Sequence, residues 1–212
     1  MMTLSPTELA QRIELSLCRP GATSDDFKTL CQQAREQKFH GVCVPSSRVE
    51  LAVALLEETE IKVTALIDFP FGAADSDVKR YETEVAVDFG AQEIETVLNH
   101  GRLKDGDSKH VLRELRDIAE AAEERTVKVV LEPRLLTRED IVLACELILD
   151  SGAHFVCAGT GLNGPATLED VKLLRETVGE KFQVKALADI RDAQTTLALI
   201  VGGAIRIGVV QP

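Results

Sequence analysis

Eight short β-branched runs recur along the 212-residue chain, each separated from the next by an amphipathic helical stretch. The runs lie near 12–17, 41–44, 61–67, 93–98, 127–132, 154–157, 182–187 and 204–207. Ile61-Lys62-Val63-Thr64-Ala65-Leu66-Ile67 and Val127-Lys128-Val129-Val130-Leu131 are the clearest. Both are bounded by breakers and apolar enough to be buried on two faces, as strands of a parallel sheet are. Between the runs, Val49 to Glu58 puts Leu51, Ala52, Leu55 and Leu56 on one helical face. Asp75 to Phe89 does the same with Val78, Tyr81, Val85 and Phe89, which predicts that these four face the core. Thr137-Arg138-Glu139-Asp140 and Thr167-Leu168-Glu169-Asp170 each read as a helix start with threonine as N-cap.

Alternating strands and helices with right-handed crossovers close into a barrel or spread into a doubly wound sheet. Eight units predict the barrel: an α/β fold, a (β/α)8 TIM barrel in a single domain over 1–212. No linker or low-complexity segment divides the chain. After the eighth run only Val209-Val210-Gln211-Pro212 follow, so the eighth helix is expected to be short or absent. The surface this leaves open calls for cover by the N-terminal segment or by another subunit, hence a homo-oligomer.

The net charge of −11 repels polyanions, which argues against nucleic acid as a partner. A small phosphorylated ligand remains compatible, because a local nest of backbone N–H groups outweighs a distant net charge. No apolar run reaches the ~18 residues of a membrane helix, and the N-terminus has no signal-peptide pattern. The five cysteines, Cys18, Cys31, Cys43, Cys145 and Cys157, include no CxxC pair. They read as reduced thiols of a cytoplasmic protein.

In such a barrel the chemistry gathers where strands end. The polar residues at those ends are Glu14, Cys43, Asp68, Glu95, Asn99, Glu132, Cys157 and Lys185, with Asp189 close behind. Lys185 sits late in a buried run, where a lysine either carries a depressed pKa or pairs with a carboxylate such as Glu132 or Glu95. Glu93 and Glu95 share one strand face, so one or both point into the barrel. A carboxylate beside a lysine suits proton transfer next to a carbonyl, or fills a layer as an ion pair. Asp68, in Asp68-Phe69-Pro70-Phe71-Gly72, either faces the mouth or caps its own loop. Cys157 either fills a barrel layer or is a reactive thiol served by Lys185 and able to form a thiohemiacetal. Gly159-Thr160-Gly161 and Gly164-Pro165 frame a turn that can hold an anion through backbone N–H groups. A divalent metal on Asp68, Glu95 and Glu132 is an unfavoured alternative, with no histidine to join them. No cofactor is expected, and His40, His100, His110 and His154 read as surface or packing residues.

Several segments, in order and over nearly the whole chain, resemble deoxyribose-phosphate aldolase. They are Gly41-Val42-Cys43-Val44-Pro45, Phe69-Pro70-Phe71-Gly72, Gly90-Ala91-Gln92-Glu93-Ile94-Glu95, Lys128-Val129-Val130-Leu131-Glu132, Leu135-Leu136-Thr137 and Arg206-Ile207-Gly208. The resemblance implies a metal-free lyase of deoxyribonucleotide catabolism that cleaves 2-deoxyribose 5-phosphate to acetaldehyde and glyceraldehyde 3-phosphate through a Schiff base. It implies catalytic roles at Lys185, which matches the family's second lysine, and at Glu95, which replaces its aspartate. Cys157 stands where the family has its imine-forming lysine. Thr160 and Gly161 match a substrate-binding turn, and Asp68 and Glu132 are further expected ligand contacts. The family's strand seven exits through Ser-Gly-Gly around the phosphate, where this chain has Leu187-Ala188-Asp189. The expectation is therefore a family scaffold with lost or changed activity. The alternatives are a relocated Schiff base on Lys185 with Glu95 as acid/base, acting on a non-phosphorylated carbonyl, or a non-catalytic binding or regulatory subunit.

Overall fold

The computed structural model describes residues 4–188 and 193–211 and forms a closed barrel of eight parallel strands in sequence order. The strands are β1 Ile13–Ser16, β2 Gly41–Pro45, β3 Lys62–Ile67, β4 Glu93–Val97, β5 Thr126–Leu131, β6 Phe155–Ala158, β7 Gln183–Ala188 and β8 Arg206–Val210. Each lies within a few residues of the run that predicts it. The main helices outside are α1 Pro6–Ala10, α2 Ser24–Gln37, α3 Val49–Leu56, α4 Ser76–Asp88, α5 His100–Lys104, α6 Ser108–Ala121, α7 Arg138–Leu149, α8 Leu168–Val178 and α9 Ala193–Val201. Thr137 and Thr167 cap α7 and α8 with reciprocal capping boxes closed by Asp140 and Asp170, so the local sequence sets both helix starts.

Strand alternation sorts side chains into two compartments. Val42, Val44, Ala65, Ile67, Ile94, Val129, Val156 and Val184 point outward into the main apolar core beneath the helices. The opposite faces fill the barrel. There, Val97, Val130, Phe155 and Cys157 make a small separate apolar cluster, with Phe69 packed against it. Beside it lies a polar group: Glu14, Thr64, Glu93, Glu95, Lys128 and Lys185 are all buried.

Two expectations need correction or comment. Val78 and Tyr81 of α4 do not face the core; they are 56% and 67% exposed, and Phe89 is exposed as well. The inner face of α4 is instead Ser76, Lys79, Thr83, Ala86 and Val87. Hydrophobic periodicity finds the most apolar stripe of a helix, and on α4 that stripe points to solvent. Among the described residues no helix follows β8. Leu4 and Leu9 from the N-terminal segment pack against the core, and Gln211 donates to Gln33 of α2 (2.8 Å). All five cysteines are free thiols.

Gly72 closes the loop after β3 with a positive φ of 68°. A Cβ there would lie 2.5 Å from the Leu98 carbonyl oxygen and 2.9 Å from that of Val97, both fixed backbone. Gly72→Ala therefore combines left-handed strain with a backbone clash. It should cost roughly 2–4 kcal/mol in a denaturant titration, whereas Gly106→Ala, in open space, should cost only the left-handed strain.

Candidate functional site

The centre of the barrel is an ionic network built on Glu14. It lies on β1, between β2 and β8, and is completely buried. Glu14 Oε1 accepts from Lys128 Nζ of β5 (2.7 Å) and from Arg206 of β8 (3.0 Å). Glu14 Oε2 accepts from Lys185 Nζ of β7 (2.5 Å). Lys185 also donates to Glu95 Oε2 (2.5 Å) and lies 3.6 Å from the Cys43 sulfur. Lys128 completes its shell with Glu93 (2.6 Å) and the Thr64 hydroxyl (3.1 Å). Below it, His40 lies 3.4 Å from Glu93. Three carboxylates, Glu14, Glu93 and Glu95, thus face three cations, Lys128, Lys185 and Arg206.

Such a cluster survives burial because every ion has partners; a lone buried charge would not. Burial pushes the Glu14 carboxyl up, but Lys128, Lys185 and Arg206 override it and hold its pKa well below the ordinary value. Burial opposes charge on Lys185, while Cys43, Glu14 and Glu95 hold its pKa well above the lysine value. Cys43 is itself pushed up by burial and stays a thiol at neutral pH, so the two carboxylates are the partners that count. Lys128 is likewise raised, with Glu14 and Glu93 overcoming burial.

Cys157 stands beside Lys185 in the β6–β7 register, yet its surroundings are the apolar cluster of Val97, Val130 and Phe155. Burial, then the charge of Glu95, pushes its thiol well above the ordinary cysteine value. Neither property favours a thiolate.

The remaining expected site residues separate. Lys185 pairs with Glu95, as one sequence alternative has it, and not with Glu132. Glu132 Oε1 instead takes the Thr160 backbone N–H (2.7 Å) and the Thr160 hydroxyl, and its Oε2 takes Asn163 Nδ2 (3.0 Å). The carboxylate thus folds the Gly159–Gly164 turn onto the end of β5. His100 fixes that residue from behind by accepting the Glu132 N–H (3.0 Å) on Nε2. Burial takes the His100 pKa down to about 4, in keeping with a neutral acceptor ring. Asp68 turns away from the mouth. Its carboxylate accepts the Ala74 N–H (2.8 Å) and lies 3.6 Å from Lys79, which is the loop-capping role. Asp68, Glu95 and Glu132 are therefore not gathered round one point. Two closely spaced trios exist among the described residues, Glu14 with Cys43 and Glu95, and Glu14 with His40 and Glu93; the Lys185 ammonium already contacts both carboxylates of the first, and Lys128 both of the second. Thr160 and Gly161 lie on the turn after β6; Asp189 lies outside the described residues.

Sequence reasoning gave no role to Lys128 or Arg206, although each is a lone cation at an inward position of a buried strand. It also missed Lys79. That fully buried amine donates to Glu114 (2.8 Å), Gly72 O (2.9 Å) and Val97 O (3.1 Å), tying the β3 exit loop to the strand that carries Glu95.

The pH dependence follows from the two directions. Glu14, depressed, stabilises the fold above the unfolded carboxylate pKa of ~4.3, and that contribution is lost as pH falls through its folded value. Lys185, raised, stabilises it below the unfolded lysine pKa of ~10.4, and that contribution is lost as pH rises through its folded value. Both are therefore in force from about pH 5 to 10, and thermal melts should show no loss from this network across that span, with a decline in stronger acid. Glu14→Gln leaves three cations facing two carboxylates, with Arg206 losing its carboxylate partner, and should cost about 3–5 kcal/mol at pH 7 by chemical denaturation.

The profile of DeoC/LacD family aldolases matches residues 9–187. A deoxyribose-phosphate aldolase of Alkaliphilus oremlandii is 42% identical over 202 residues, covering 94% of this chain and 91% of that one. One from Carboxydothermus hydrogenoformans is 42% identical over 210 residues, covering 97% and 92%. The solved structure of the tetrameric deoxyribose phosphate aldolase of Aeropyrum pernix superposes with a TM-score of 0.89 at 27% identity, covering 96% of this chain and 87% of that one. Barrel, strand order and sequence agree, and the chain belongs to the DeoC/LacD aldolase family.

Proposed function

We propose that this chain keeps the aldolase scaffold but has lost imine-based cleavage of 2-deoxyribose 5-phosphate, and acts as a binding or regulatory member of its family. The reading rests on one observation: the interior amines are engaged as ammonium ions, and the position next to Lys185 in register is a cysteine. An imine begins with attack by a neutral amine on a carbonyl, and the protonated iminium then serves as electron sink for carbon–carbon cleavage. Lys185, held between two carboxylates, has no lone pair to give. Cys157 can add to a carbonyl but cannot form an iminium. Its ligand is a small carbonyl or sugar taken at the C-terminal ends of the strands. Its setting is a homo-oligomer, as in the tetrameric relative, in the cytoplasm.

A second reading has its own support. Glu95 Oε2, 2.5 Å from Lys185 Nζ, is placed to take the proton that Lys185 must lose before attack. On that reading Lys185 forms the imine with a non-phosphorylated carbonyl and Glu95 shuttles protons.

Purified protein should show no turnover of 2-deoxyribose 5-phosphate above background; robust turnover defeats the proposal. Borohydride reduction in the presence of acetaldehyde, followed by peptide mass spectrometry, should leave Lys185 unmodified; a reduced adduct there establishes the second reading. Cys157→Lys should gain a trappable adduct at the new lysine, because the neighbouring Lys185 ammonium lowers its pKa. Cys157→Ala should cost only about 1 kcal/mol in stability, as befits a packing residue.

A further inference from the structure

The turn after β6 reads Leu162-Asn163-Gly164-Pro165, and Asn163 is one of two asparagines in the chain. It belongs to the Glu132 clasp: its Nδ2 donates to Glu132 Oε2 (3.0 Å), while the Thr160 N–H and hydroxyl take Oε1. A carboxylate only accepts, so the amide nitrogen is the half of the Asn163 side chain that must face it. The clasp matters to the barrel mouth. A Cβ on Gly161 would come within 2.9 Å of Leu187 and 3.4 Å of Val210, so the clasped turn lies against the C-terminal ends of β7 and β8. Gly164 follows Asn163 with a φ of 98°, in the region glycine favours, and has no side chain to shield its backbone nitrogen. One long hydrogen bond restrains that N–H, to Gly161 O at 3.2 Å. A backbone nitrogen so unshielded can close on the side-chain carbonyl carbon of the asparagine before it.

We propose that Asn163-Gly164 is a self-modification site whose product releases the clasp. The Gly164 nitrogen gives its proton to water and bonds to Asn163 Cγ. The Cγ–Nδ2 bond breaks, and Nδ2 leaves as ammonia with a proton from solvent. Water then opens the cyclic imide at either carbonyl, leaving aspartate or isoaspartate. Water is the sole co-reactant, and nothing is oxidised or reduced. The turn thereby loses a donor and gains an anion at one point. Buried Glu132 meets a second carboxylate where it held an amide, and two carboxylates at that distance do not both stay ionised and in contact. The turn leaves the end of β5 and uncovers β7 and β8. Asn99 is the internal control. Its Oδ1 caps α5 by accepting the Arg102 N–H (3.1 Å), and the residue after it is buried His100, not a glycine.

Peptide mass spectrometry on the full chain tests this, in mildly alkaline buffer with and without urea. Trypsin separates the two asparagines, since cleavage at Arg102 and Arg138 falls between them. In the folded chain the Asn163 peptide should exchange the mass of NH2 for that of OH, several-fold more slowly than in urea, because the turn needs only local opening. The Asn99 peptide of the folded chain should stay unchanged. An Asn163 peptide unconverted in the folded chain when the chain in urea has gone to completion overturns the site, as does equal conversion at Asn99. Asn163→Asp carries the product from the start. Its Thr160 amide, which donates to Glu132, should exchange hydrogen several-fold faster by NMR than in wild type. It should also exchange faster than in Asn163→Ala, which removes the donor without adding charge. Exchange no faster than in Asn163→Ala overturns the release. If Asn163→Asp does not fold, the converted fraction of aged wild type, separated by anion exchange, gives the same reading.

Discussion

One carboxylate holds the inside of this barrel together. Glu14 is completely buried and receives Lys128, Lys185 and Arg206, from strands that reach it from three directions around the lumen. Glu93 and Glu95 complete the count, so that each buried charge has an opposite within contact distance. In a lumen too narrow for bulk water, this pairing stands in for hydration, and it binds its members more tightly than any one exposed pair could. Apolar layers usually fill such barrels; here an apolar patch around Phe155 and Cys157 shares the lumen with the ionic network.

That balance also sets the chemical character of the site. A lysine serves as a nucleophile when desolvation or a neighbouring cation strips its proton. Lys185 is desolvated, but its nearest neighbours are acids, and their attraction prevails over burial. The register that would bring a second amine beside it brings a sulfhydryl in an apolar niche. Scaffold and family membership are thus retained, while the carboxylates around Lys185 favour its charged form.

The strands were legible because both of their faces are buried, which leaves an unmistakable apolar run. The helix starts at Thr137 and Thr167 were legible because capping is local chemistry. Helix α4 misled because periodicity ranks faces by hydrophobicity and carries no sign for inside. Alternation turns Glu95 inward, but it left Lys185 open to either Glu95 or Glu132. The extension of the network to Glu14, Lys128 and Arg206 could not be anticipated, because partners separated by 114 to 192 residues meet only through barrel closure. Lys79 stayed hidden for a related reason: two of its partners are backbone carbonyls, which no side-chain pattern reveals.

The pairing of β1 with β8 has a consequence for how the molecule comes into being. Ile13 to Ser16 lie opposite Ile207 to Val210, almost the full length of the chain apart. During synthesis the first strand therefore waits with one bare edge, and Glu14 waits without Arg206, until β8 has left the ribosome. Contacts of such long span make closure a late, all-or-none event. A nascent chain halted before β8 would present open sheet edges on β1 and β7, which mark a polypeptide for chaperones.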